Sequence, residues 1–211
     1  MVHLYITDVS ALLLPKECPE LVAKLSEERQ QKLKTLLQPE KQKQCLGAGL
    51  LLEKVLAQHG VSADSVRVGK NGKPEVDGIF FNLSHSGALV VCAVSDKLVG
   101  CDIEQRKAAP LHLAERFFGE RERAYLATFT GEEYDHQFFR LWTMKESYVK
   151  MTGEGMSLSF DSFEIIPGDT MCVLRDGQRQ DCYLTEYEVS GYQVTVCAKE
   201  EAFDEIQWEI I

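Results

Sequence analysis

Val90-Val91-Cys92-Ala93-Val94 has a second version of itself in Val194-Thr195-Val196-Cys197-Ala198, with Cys197 standing 105 residues after Cys92. Both runs are rich in β-branched residues and read as strands. Glu53 precedes Gly60 by seven residues, as Glu146 precedes Gly153, each pair closing a helical stretch. Generic strands and helices also resemble one another, so the residues alone leave chance similarity open beside duplication. A true duplication makes the fold α+β, a pseudo-dimer of two similar halves in one chain, with a ligand between them.

The element order around these runs repeats as well. Val2 to Ile6 reads as a strand, and residues 26–37 as a helix capped by Ser26 with Glu27 and Glu28 in its first turn. Pro39 interrupts, and a second helix runs from Glu40 to His59, ended by Gly60. Ile79 to Leu83, Ala88 to Ser95 and Val99 to Ile103 follow as strands. In the second part, helices over Leu111–Phe118, Glu120–Phe129 and Gln137–Met151 precede strands at Phe163–Ile166, Met171–Leu174, Cys182–Val189 and Tyr192–Ala198. Gln178 to Asp181 and the acidic tail (Glu200, Glu201, Asp204, Glu205) read as solvated turns and ends.

The 211 residues carry 23 Lys+Arg against 33 Asp+Glu, a net charge of −10, which argues against a general binder of nucleic acid or anionic membranes. No apolar run approaches the ~20 residues needed to span a bilayer. Val9 to Leu14 follows Asp8 without a basic flank, so a secretory signal is not expected. Seven cysteines, an odd number with no CxxC pair, point to thiols in a reducing cytoplasm. The five histidines lack zinc-ligand spacing.

Four groupings carry chemistry. In Gly100-Cys101-Asp102-Ile103-Glu104, alternation on a strand projects Asp102 and Glu104 together and sends Cys101 and Ile103 to the core. Two adjacent carboxylates repel unless a cation or proton lies between them, which suits a hard divalent ion; two solvated surface acids are the plainer reading. In Trp142-Thr143-Met144-Lys145-Glu146-Ser147-Tyr148-Val149-Lys150, Trp142, Glu146 and Lys150 form one helical stripe, fit for work on a phosphate or for a simple surface ion pair. Gly72-Lys73-Pro74 and Phe80-Phe81-Asn82-Leu83-Ser84-His85-Ser86-Gly87 offer a cation, hydroxyls and an imidazole to a phosphate, or a capped turn with a structural His. There is no Walker loop and no nucleophile elbow, and Ser84 beside His85 is no triad, because strand neighbours face opposite ways. Among the basic residues Arg29, Lys32, Lys34, Lys41 and Lys43, Arg29 and Lys32 share a helix face and can clamp one phosphate.

Taken in order, Gly-Lys-Pro, Phe-Asn-Leu-Ser-His-Ser, Gly-Cys-Asp-Ile-Glu and Trp-Thr-Met-Lys-Glu-Ser-Tyr-Val-Lys resemble the 4′-phosphopantetheinyl transferases of the surfactin-synthetase-activating type. The motifs span Gly72 to Lys150, and the Arg29/Lys32 region and Leu158–Phe163 extend the resemblance over nearly the whole chain. It implies residues 1–100 as an α+β half that binds coenzyme A phosphates and residues 101–211 as a half with the metal and catalytic residues. It implies a reaction in which the serine of an apo acyl or peptidyl carrier protein takes the phosphopantetheine arm of coenzyme A and 3′,5′-ADP leaves. Mg²⁺ is the implied ion, with Mn²⁺ as a substitute.

Carried over by position, Asp102, Glu104 and Glu146 are the implied metal ligands. Glu146 is also the candidate base, acting directly or through a metal-bound water, and Lys150 steadies the pyrophosphate. Arg29, Lys32, Cys45, Lys73, Pro74, Ser84 and His85 are the implied coenzyme contacts. Cys45 stands where a relative has Thr and Arg29 where it has Lys, so a hydroxyl contact and a hydrogen-bond geometry differ. A monomer is expected, docking its carrier near Arg116, Phe117 and Phe118 unless those rings are core. Competing readings are a silent homologue that binds without transferring and a Mg²⁺-dependent hydrolase of coenzyme-like pyrophosphates.

Overall fold

Leu89–Ser95 is buried along its whole length, which requires apolar layers on both of its faces. The computed structural model, which describes residues 1–69, 74–168 and 171–211, supplies them. The first half contains β1 (Val2–Asp8), α1 (Pro19–Val22), α2 (Glu27–Thr35), α3 (Pro39–Gln58), β2 (Arg67–Val68), β3 (Pro74–Glu75), β4 (Phe80–Ser86) and β5 (Leu89–Ser95). The second continues with β6 (Val99–Gln105), α4 (Leu111–Phe117), α5 (Glu120–Leu126), α6 (Gly131–Thr152) and β7 (Phe163–Ile166). It ends with β8 (Cys172–Arg175), β9 (Gln178–Arg179), β10 (Tyr183–Val189), β11 (Tyr192–Ala198) and β12 (Phe203–Trp208).

Two sheets carry the architecture, ordered β12-β1-β5-β4 and β10-β11-β6. In each half the second strand of a hairpin pairs antiparallel with the half's first strand, β5 with β1 and β11 with β6. The fold is therefore a pseudo-dimer of two α+β halves. Both hairpins close through two-residue turns, so Leu89 and Tyr192 occupy equivalent places, 103 residues apart. The structural register thus differs by two from the one in which Cys92 matches Cys197, and Cys92 corresponds to Thr195.

The layers run α3, first sheet, second sheet, α6. Val90, Cys92 and Val94 of β5 pack toward α3 with Leu51, Leu52 and Val55. Leu89, Val91 and Ala93 face the second sheet, meeting Cys101, Ile103, Val194 and Val196. On the far side Phe138, Leu141, Met144 and Tyr148 of α6 form their own core with Cys197. Alternation along β6 is as expected: Cys101 and Ile103 are in the inter-sheet core, and Asp102 is on the other face.

Local chemistry explains most of the element ends. Ser26 Oγ accepts the Arg29 N–H at 3.4 Å, Pro39 opens α3 and Gly60 (φ 73°) follows its end. Gly153, φ 71°, ends α6 in the left-handed conformation that glycine adopts without strain. The helix begins six residues earlier than the periodicity suggests, at Gly131, because Glu132 and Glu133 favour its positive N-terminus although they carry no apolar signal. The tail is also more ordered than its charge suggests. β12 pairs parallel with β1, Phe203 and Ile206 packing inward while acidic residues lie between them. Residues 178–179 form a short strand rather than a solvated turn.

Across Arg116–Phe118 the proposed patch is graded: Arg116 is exposed, Phe117 half-buried and Phe118 core. Phe118 is 1% exposed, Phe117 packs edge-on to Trp142 and Phe160, and the Arg116 guanidinium lies over the Phe117 ring at 5.0 Å.

Gly100 sets the distance between α6 and β6. A Cβ there would fall 2.2 Å from the Ser147 carbonyl oxygen and 2.3 Å from the Met151 nitrogen, so helix backbone lies directly on strand backbone. Overpacking against backbone cannot be relieved by a rotamer change. Gly100→Ala is expected to lower stability by about 1–3 kcal/mol, read as a lower denaturation midpoint in chemical unfolding; an unchanged midpoint contradicts the close approach.

Candidate functional site

β4 and β6 are edge strands of different sheets, and they meet through side chains. Asn82 Oδ1 accepts the Cys101 N–H at 2.9 Å, Ser84 Oγ donates to Asp102 Oδ1 at 2.7 Å and Ser86 Oγ donates to Glu104 Oε2 at 2.8 Å. The alternating Asn82, Ser84 and Ser86 thus hold the alternating acids of β6. Lys150, brought over β6 by α6, donates to Asp102 Oδ1 at 2.6 Å and to Ser84 Oγ at 3.0 Å. Ser84 faces the acids while His85 faces the other side, because neighbours on a strand face opposite ways.

The acids share one electrostatic field. Burial first, then Asp102, then Glu104, push the Glu146 carboxyl up to about 7, against the lowering effect of Lys150. Glu104 is raised by burial and Asp102, with Ser86 opposing. Burial alone would lower Lys150, but Asp102 and Glu146 outweigh it and the ammonium is held above its ordinary value. A carboxyl poised near neutrality beside a persistent ammonium is an arrangement for proton transfer next to developing negative charge.

Among the described residues, no group of three or more His, Cys, Asp or Glu side chains is gathered closely enough to hold a metal ion. Asp102 engages the Lys150 ammonium through Oδ1. Its Oδ2, however, is buried without a hydrogen-bond partner among the described residues, an arrangement that costs free energy unless a cation or donor meets it. That orphaned oxygen, with Glu104 and Glu146 alongside, is the all-oxygen donor chemistry a hard divalent cation takes. In donor type the residues fit.

Behind β4 lies a cavity of about 390 Å³ that gathers Arg29 and Lys32 from α2, Lys41 and Cys45 from α3, Pro74 from β3 and His85 from β4. Five of the seven expected coenzyme contacts are thus together; Ser84 is not, and Lys73 lies outside the described residues. Cys45 also accepts the Arg29 guanidinium through its carbonyl oxygen, at 3.5 Å. Desolvation, then the positive fields of Lys41, Lys150 and Lys32, hold the His85 imidazole down at about 4, so it is neutral at pH 7.

Lys41 is the cavity residue that sequence reasoning left unassigned. It lies one helical turn before Cys45, a spacing that places both on one face of α3 and could have identified it. Its ammonium donates to buried Gln44, which in turn donates to the Gly87 carbonyl oxygen at 2.8 Å.

Residues 98–197 match the family model of the 4′-phosphopantetheinyl transferase superfamily. The chain is 33% identical to the 4′-phosphopantetheinyl transferase Sfp of Bacillus subtilis, covering 86% of this chain and 90% of that one. It is 35% identical to a 4′-phosphopantetheinyl transferase of Aneurinibacillus migulanus, covering 84% and 78%. A solved holo-(acyl-carrier-protein) synthase from Bacillus anthracis in complex with CoA (3′,5′-ADP) aligns with TM-score 0.41 and 20% identity over 47% of this chain and 92% of that one. The chain belongs to the 4′-phosphopantetheinyl transferase superfamily, in its surfactin-synthetase-activating branch.

The raised Glu146 value has a sign that can be checked without substrate. In chain free of divalent ions, a carboxyl titrating near 7 instead of 4.5 binds more protons folded than unfolded, so its stabilisation is lost as pH rises through 7. His85 contributes the opposite slope, but only below its ordinary value of 6.5. Thermal melts in chelator are expected to show wild type losing stability relative to Glu146→Gln between about pH 5 and pH 7, levelling off above; parallel curves contradict the shift.

Proposed function

We propose that the chain transfers the 4′-phosphopantetheine arm of coenzyme A to a serine of an apo acyl or peptidyl carrier protein, releasing 3′,5′-ADP, with Mg²⁺ as the ion. The observation that carries this reading is the division of labour across β4. One face looks into a cavity of cations that suits the phosphates of a nucleotide. The other holds an acid–lysine cluster that suits attack at phosphorus.

In this reading Arg29, Lys32 and Lys41 hold the 3′-phosphate end, with Arg29 able to make a bidentate contact. Neutral His85 offers one ring N–H to a phosphate oxygen. Pro74 and Cys45 shape the wall beside them, and Lys73 belongs to the same group by resemblance. Asp102, Glu104 and Glu146 would hold Mg²⁺, which when bound neutralises charge on the pyrophosphate. Glu146 takes the proton of the carrier serine as its oxygen attacks phosphorus. Lys150, released from Asp102 Oδ1, donates to the departing phosphate oxygen. Transfer needs little covalent chemistry from the protein, so positioning and charge supply most of the rate.

One chain contributes both β4 and β6, which supports a monomer as the active unit. No helix among the described residues is long and apolar enough to cross a membrane. The seven cysteines, thiols rather than disulfides, fit a cytoplasmic setting.

Incubated with coenzyme A and Mg²⁺, an apo carrier should gain the mass of one phosphopantetheine, with release of 3′,5′-ADP that requires the carrier. Glu146→Gln should reduce the rate by about 10²–10⁴-fold. Lys41→Ala should instead raise KM for coenzyme A by about tenfold, consistent with a lost charge-assisted hydrogen bond, and narrow the preference over 3′-dephospho-coenzyme A. Carrier-independent 3′,5′-ADP release, or binding with no mass gain, overturns the assignment.

A further inference from the structure

Ser86 is the last residue of β4, and the cationic cavity does not include it. Its hydroxyl makes two bonds whose directions are fixed by chemistry. The Gln105 N–H can only donate, and Ser86 Oγ accepts it at 3.0 Å. The hydroxyl proton is thereby directed at Glu104 Oε2, 2.8 Å away. Its backbone is equally constrained. A Cβ on the following Gly87 (φ 52°) would fall 2.6 Å from Tyr192 Oη and 2.7 Å from Gln105 Oε1. The next residue, Ala88, donates its N–H to Tyr192 Oη at 3.0 Å. The β4–β5 turn is thus seated closely against the second half.

We propose that Ser86 is a positioning residue for the transfer reaction: seated by the Gln105 amide and the Gly87 turn, its hydroxyl fixes one oxygen of Glu104 and leaves the other for the divalent cation. This rests on the reading of Glu104 as a metal ligand. A glutamate on a strand has three side-chain torsions, and at the rim of a site shared with Asp102 and Glu146 repulsion drives it toward solvent. A single donor anchored to the same strand that follows Glu104 opposes that drift. Ser84 and Ser86 are spaced as Asp102 and Glu104 are, so each acid of β6 receives one hydroxyl from β4. Ser84 is shared with Lys150, whereas Ser86 serves Glu104 and the backbone behind it.

The test compares Ser86→Ala and Ser86→Thr with wild type in two assays: steady-state transfer, and Mn²⁺ binding followed by electron paramagnetic resonance with coenzyme A present and no carrier. Removing a hydrogen-bond partner of a ligand typically costs 10–100-fold in affinity or activity. Ser86→Ala should therefore lose roughly that much in both kcat and Mn²⁺ affinity, with KM for coenzyme A unchanged, and Ser86→Thr should recover most of both. If Ser86→Ala folds poorly, Ser86→Cys, a smaller change with a weaker donor, should show the same two losses at a wild-type melting temperature. Wild-type Mn²⁺ affinity in either folded variant overturns the proposal, as does a loss confined to KM. If wild type itself transfers nothing, the functional reading fails, while the Mn²⁺ comparison still decides the role of Ser86.

Discussion

The site depends on two strand edges meeting without a backbone ladder. Had β4 and β6 paired through N–H and C=O groups, their side chains would stand perpendicular to a common sheet and could not bridge it. Instead Asn82, Ser84 and Ser86 reach across to Cys101, Asp102 and Glu104. The junction of the halves is therefore polar by construction. Carboxylates that would be costly to bury on either sheet alone are met there by hydroxyls and an ammonium. Gly100 completes the arrangement from the other side, because only without a Cβ does α6 come close enough to bring Lys150 onto Asp102.

This junction divides the charge of an acidic protein into two compartments. On one side of β4, burial and mutual repulsion hold Glu146 near 7. On the other, desolvation and lysines keep His85 neutral down to about 4. Lys150 reaches between the two, being a partner of Asp102 and Ser84 that also contributes to the field at His85. A net charge of −10 therefore coexists with a strongly cationic cavity. In the proposed reading, a substrate with phosphates at separated positions would be held at one end and activated at the other, on the two sides of one strand.

Much of this is legible in the sequence, and the parts that are not have identifiable causes. Strand alternation suffices to pair Asp102 with Glu104 and to send Cys101 inward, because period-2 patterning is a local property. Duplication is legible too, but its register is not: Cys92 and Cys197 attract alignment by identity, whereas hairpin geometry equates Leu89 with Tyr192. Ser84 and His85 are grouped by the family resemblance, whereas strand alternation turns His85 to the cationic cavity and Ser84 to the acids. Lys41 counts among the basic residues without a role, since it joins Cys45 only through a helical turn. β12 was obscured by its acids, whose solvation says nothing about the apolar residues between them.

The same geometry explains why a duplicated fold presents one such site rather than two. By the hairpin register, the places of Gly100, Asp102 and Glu104 on β6 are held on β1 by His3, Tyr5 and Thr7, and the place of Ser84 on β4 is held on β10 by Tyr187. The second junction therefore lacks the acids, and a tyrosine replaces the serine that meets them. It is also filled. β12 pairs along β1 on the edge that corresponds to the open edge of β6, and Tyr187 Oη donates to the Asp204 carbonyl oxygen of that strand at 3.1 Å. His3, where the second half has no side chain, meets Asp204 and the ring of His59 at the end of α3. One junction is thus a closed structural seam, while the other stays polar and keeps its carboxylates together.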